Sequence, residues 1–91
     1  MDGDDDVRLW LVERTYTDRD LVVLVYATPD GERYLQQERA AAIVRRGDSE
    51  VTAAIDADPE RLKPTEDDET RERYATEAAR MAEQNDPDDA V

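Results

Sequence analysis

Leu21-Val22-Val23-Leu24-Val25-Tyr26-Ala27-Thr28, followed at once by Pro29-Asp30-Gly31, is the stretch on which the fold of this chain turns. Its first eight residues are β-branched, aliphatic or aromatic almost without interruption, the pattern of a central strand covered on both faces. Pro29 then sets φ for the first turn position, and Gly31 accepts the positive φ that closes a hairpin. Upstream, beyond the polar turn Thr17-Asp18-Arg19-Asp20, residues 7–16 read as a partner strand. Alternation places Val7, Leu9 and Leu11 on one face and Trp10, Val12 and Tyr16 on the other. Downstream, residues 32–38 form a third strand with Tyr34 and Leu35 as its apolar members, which suits a sheet edge.

The rest of the chain adds a fourth strand and a long helix. Residues 39–46 place Ala40, Ile43 and Val44 at helical spacing, ahead of Gly47, and read as a short helical crossover or as a continuation of strand three. Val51, Ala53, Ile55 and Ala57 alternate with polar or small residues as a fourth strand, and Asp58-Pro59 caps a single turn that Pro64 stops. Residues 66–84 predict the main helix, with Thr65 as N-cap, four acids at its positive end, and Tyr74, Ala78 and Met81 along one stripe. Asn85 is the expected left-handed C′ residue, and Pro87 ends the element. The expected fold class is therefore α+β: an antiparallel meander of three strands, a fourth strand after the short crossover, and one long C-terminal helix packed on the sheet.

Composition sets the function classes. The 91 residues carry 25 acidic and 12 basic side chains, for a net charge of −13, with no Cys and no His. A disulfide framework, a thiolate nucleophile, a Cys/His zinc site and imidazole acid–base chemistry are thereby excluded. Asp2, Asp4, Asp5 and Asp6 at one end and Asp86, Asp88 and Asp89 at the other hold seven of the charges, leaving −6 on residues 7–85. Residues 1–6 and 86–91 are accordingly expected as solvated, disordered tails around a single folded domain spanning 7–85. The longest apolar run, Leu21–Ala27, is far short of the ~20 residues of a membrane helix, and the acidic amino terminus has the wrong sign for a signal peptide. The expected compartment is the cytoplasm. Eleven Arg against one Lys, no Phe and 12 Ala fit a salt-loaded interior, where a Debye length of ~3 Å at 1 M lets surface carboxylates crowd cheaply. An acidic protein that mimics or binds polycations at low salt is the competing reading.

Little of the sequence carries chemistry. The glycines stand singly, and no phosphate loop or Ca-loop spacing occurs. Carboxylates in residues 4–6, 66–69 and 86–89 could collect cations weakly, but tails and a first helical turn do not converge on one point, so no metal site and no cofactor is expected. Glu13 and Glu38 are the acids inside strands, with a solvated or Arg-paired role expected over acid–base work, and no catalytic residue is assigned. Arg8, Trp10, Arg14 and Tyr16 share one side of strand one by alternation, and Tyr26 and Tyr34 could join them as a stacking platform for nucleic acid. Net acidity argues against that reading, since phosphate is repelled and high salt removes the counterion-release gain.

Surplus apolar surface points instead to association. Alternation offers Leu9, Leu11, Val23 and Val25 on one face of the hairpin and Trp10, Val12, Leu24 and Tyr26 on the other, while only one long helix is available as a lid. Leu9, Leu11, Val23, Val25 and Leu35 are thus the expected interface, with a second copy or an unidentified protein as cover unless residues 40–44 supply it.

Trp10-Leu11-Val12-Glu13-Arg14, Tyr26-Ala27-Thr28-Pro29-Asp30-Gly31-Glu32-Arg33, Ala54-Ile55-Asp56-Ala57-Asp58-Pro59, Arg73-Tyr74-Ala75 and Asp86-Pro87-Asp88-Asp89 together resemble a family of small uncharacterised haloarchaeal proteins. The resemblance implies habitat and compartment and carries over no catalytic or binding residue. The expectation is a non-enzymatic interaction or regulatory module, homodimeric through its sheet, with nucleic-acid binding and weak cation or small-ligand binding as alternatives.

Overall fold

The computed structural model describes residues 6–40 and 51–91. Five strands, β1 (Val7–Tyr16), β2 (Leu21–Ala27), β3 (Arg33–Ala40), β4 (Ala54–Ala57) and β5 (Lys63–Pro64), form one sheet in the order β4-β1-β2-β3-β5, each neighbouring pair antiparallel. The helix α1 (Asp68–Gln84) packs on one face, completing the expected α+β fold. The central strand is β2, as its unbroken apolar run requires. β3 runs on through Arg39 and Ala40, and the remainder of the expected crossover, like residues 1–5 of the amino-terminal tail, lies outside the described residues.

One irregularity reorganises the sheet. Leu11 pairs with Tyr26 but Glu13 pairs with Val25, so Val12 is an extra residue in β1, a β-bulge. Directly opposed residues share a face. Leu9 and Leu11 therefore lie with Val22, Leu24, Tyr26 and Leu35, whereas Val23 and Val25 lie on the α1 face with Trp10, Ala27 and Tyr34. This corrects the simple alternation that put Leu9, Leu11, Val23 and Val25 together. A bulge moves every later side chain to the opposite face without leaving a mark in the hydrophobic pattern.

The two faces carry two clusters. On the face opposite Tyr74, Leu9, Leu11, Val22, Leu24, Tyr26 and Leu35 are joined by Val51 and Ala57, with Leu62, Val91 and Met81 of α1 packed at the margin. Beneath α1, Val25 and Ala27 meet Tyr74, flanked by Val12 and Tyr34. The Tyr34 and Tyr74 rings meet edge to face, 6.0 Å between centroids at 61°. In the first cluster Tyr26 is fully buried, burial pushes its phenol pKa up, and its hydroxyl has no hydrogen-bond partner among the described residues. A buried unpaired hydroxyl costs stability, so Tyr26→Phe is expected to raise it by about 1 kcal/mol. The check is a higher urea midpoint at unchanged slope; a lower midpoint would mean that the hydroxyl is satisfied after all.

Caps and tail differ from the sequence expectation. α1 begins at Asp68 rather than near residue 66, because the Asp67 carboxylate accepts from the Thr70 N–H at 2.6 Å and takes the N-cap role expected of Thr65. Thr65 instead donates its hydroxyl to the Gly31 carbonyl at 2.6 Å, tying the approach to α1 onto the hairpin turn. Asn85 is extended at φ −142° rather than left-handed. Residues 86–91 do not hang free: Ala54 N–H donates to Pro87 O, Ala53 N–H to Asp89 O and Val91 N–H to Val51 O. These main-chain bonds compensate for an unhelpful side-chain composition, which is why charge counting reads the segment as a tail.

Candidate functional site

Four of the five residues expected as an interface, Leu9, Leu11, Val25 and Leu35, belong to the core of a single chain. Leu9 is 0%, Leu11 4%, Val25 3% and Leu35 9% exposed, and Val23 is half-buried. The bulge divides them between two faces, so no apolar patch made of these five exists to be covered by a second copy.

The six residues of the expected stacking platform are divided in the same way. Arg8, Trp10 and Tyr34 lie on the α1 face, while Arg14, Tyr16 and Tyr26 lie on the other. Trp10 is half-buried, Tyr34 packs against Tyr74, and Tyr26 is inaccessible. Arg8 Nε sits 2.6 Å from Asp56 Oδ1, and that hydrogen-bonded pairing holds the guanidinium pKa above its usual value. Arg14 and Tyr16 remain together and exposed.

The acids take structural roles. Glu13 Oε1 lies 3.3 Å from Arg73 Nη2, joining β1 to α1, and the same guanidinium stacks 5.4 Å from the Tyr74 ring centroid. The Asp30 carboxylate accepts from the Thr28 hydroxyl at 2.6 Å and from the Glu32 N–H at 3.0 Å, which holds its pKa below the ordinary aspartate value. Glu38 is exposed on β3. Among the described residues no three acidic side chains converge as a metal-holding group. No helix among them is long and apolar enough to cross a membrane.

What remains is an edge. β4 pairs with β1 only from Val7 to Trp10, with one further bond from Leu11 N–H to Ala53 O. Past that point no described residue pairs with the outer side of β1. The hairpin bond from Thr17 N–H to Leu21 O sets the alternation, which directs the N–H and C=O of Arg14 and Tyr16 away from β2. Arg14, Thr15 and Tyr16 are all exposed, and Tyr16, at 54%, is the large hydrophobic side chain most open to solvent among the described residues. Beside this edge a shallow groove is lined by Leu11, Val12, Glu13, Arg14, Glu77 and Met81. The edge follows from a ten-residue strand paired to a four-residue one. That length mismatch is faintly legible in sequence, whereas the pairing offset is not.

A model of a family of unknown function, DUF7967, matches residues 3–91. The chain belongs to the DUF7967 family. No curated protein and no solved structure matches it. The family description assigns no activity, so any site in this DUF7967 domain must be argued from its own geometry, in which the outer edge of β1 is left without a strand partner among the described residues.

Proposed function

We propose that this DUF7967 domain is a non-enzymatic interaction module that docks another polypeptide along its sheet, in a salt-rich cytoplasm. The observation that carries the reading is the outer edge of β1 at residues 12–16, where outward main-chain groups coincide with an exposed Tyr and an exposed Arg. Unpaired strand edges are templates for strand addition, and proteins that do not use them blunt them. Tyr and Arg are also the side chains most often found at interaction hot spots. The nucleic-acid alternative draws on the same Arg14 and Tyr16, but base stacking would have to manage without Trp10, Tyr26 and Tyr34.

Site-specific photo-crosslinking tests the reading. A photoreactive phenylalanine at position 16 is expected to form discrete protein adducts in cells, with none at the exposed helix position 72. Equal labelling at both positions, or adducts to nucleic acid alone, would overturn it.

A further inference from the structure

Resting on that interaction reading, we propose that the occupant of the β1 edge is a second copy of this chain, paired antiparallel about a two-fold axis through Thr15. Four constraints select this register. In an antiparallel pair, outward-pointing residues must oppose outward-pointing residues, and in residues 13–17 these are Arg14 and Tyr16. A two-fold axis at Glu13 would bring Tyr16 of the second copy opposite Trp10, whose outer side is already taken by Ala54 of β4. An axis at Arg14 sets the two Arg14 guanidinium groups face to face, a like-charge pairing that opposes association. An axis at Tyr16 runs Arg14 off the strand against Asp18 in the turn.

The Thr15 axis has none of these faults. Each Arg14 then lies opposite Tyr16 of the second copy, twice over by symmetry, giving two cation–aromatic pairs, and the two Thr15 side chains meet at the centre. Both protomers present the same patch, as a closed two-fold dimer requires. The paired segment is short, and an interface well below ~1,200 Å² is weak. The net charge of −13 on each chain opposes contact as well. The dimer is therefore concentration-dependent and tightens as salt rises, because screening removes the repulsion while main-chain pairing persists. A contact with nucleic acid shows the opposite salt dependence.

Sedimentation equilibrium across a KCl series tests the proposal. The wild type is expected to show a reversible monomer–dimer equilibrium that strengthens with salt. Thr15 is exposed, so substitutions there leave the fold intact by circular dichroism. Thr15→Asp alone and Thr15→Lys alone are each expected to weaken dimerisation at least about fivefold, by placing like charges across the axis. An equimolar mixture of the two is expected to restore it as a heterodimer. Failure of the mixture to recover, with both variants folded, would overturn the Thr15 register. A wild type that stays monomeric to about 1 mM overturns self-pairing outright. If position-16 adducts with other proteins persist in that case, the interaction reading survives; if those also vanish, both fall.

Discussion

Gly31→Ala is expected to cost about 3–4 kcal/mol, the largest loss from any turn substitution in the domain, because this turn glycine is buried. Gly31 sits at φ +73°, where an L side chain is strained. The space around it is also full: a Cβ built there would overlap the carbonyl oxygen of Arg71 and approach Ala75 N to 2.9 Å. Both obstacles are helix backbone, which cannot swing aside as a flexible side chain can. To admit a methyl group, α1 must lift from the hairpin, which uncovers Val25, Ala27 and Tyr74 and strains the Thr65 bond to the Gly31 carbonyl. Urea unfolding followed by circular dichroism measures the loss. A cost of no more than about 1–2 kcal/mol, the penalty of the positive φ alone, would show that α1 does not rest on this turn.

Leu9→Ala is the second large effect, expected at about 3 kcal/mol and independent of protein concentration. Leu9 is fully buried among Leu11, Leu24 and Tyr26, so truncation leaves a cavity that strand pairing on both sides prevents from collapsing. Val23→Ala, on the other face and half-buried, is expected to cost less than about 1.5 kcal/mol. The contrast separates core from interface. Were Leu9 a dimer contact, its truncation would shift the midpoint chiefly at high concentration and approach nothing on dilution, which is the outcome that would reinstate the apolar-face dimer.

Much of the fold was legible because it is encoded locally. The run Leu21–Ala27 has a composition that belongs on a strand buried from both sides, and β2 is the middle strand. Pro29 and Gly31 mark the hairpin turn by restricting and freeing φ respectively, and Gly31 takes the positive φ expected of it. Asp58-Pro59 caps its 3-10 turn, with the Asp58 carboxylate accepting from the Glu60 N–H at 2.9 Å. The start of α1 is ambiguous in the sequence because Thr65 and Asp67, separated only by Glu66, are rival caps, and the role falls to Asp67 because Thr65 bonds the Gly31 carbonyl instead.

The candidate site was less legible. Alternation groups Arg14 with Tyr16, and they do share a face, but the bulge at Val12 turns Arg8 and Trp10 to the opposite one and the β2–β3 register places Tyr34 there too. β5 is not legible either, since Lys63 and Pro64 have no strand composition and pair with Arg33 and Tyr34 only because the chain returns past the start of β3.

Local chemistry thus settles which segments are extended, where they turn and where the helix runs, since propensity, φ restriction and capping act within a few residues. Facing and edges were settled by the assembled sheet. The one-residue offset at Val12 arises where β1 must match β2 on one side and β4 on the other, and the 86–91 segment is held by main-chain bonds that no side chain announces. Both depend on distances between segments far apart along the chain, and such distances exist only after the sheet has formed.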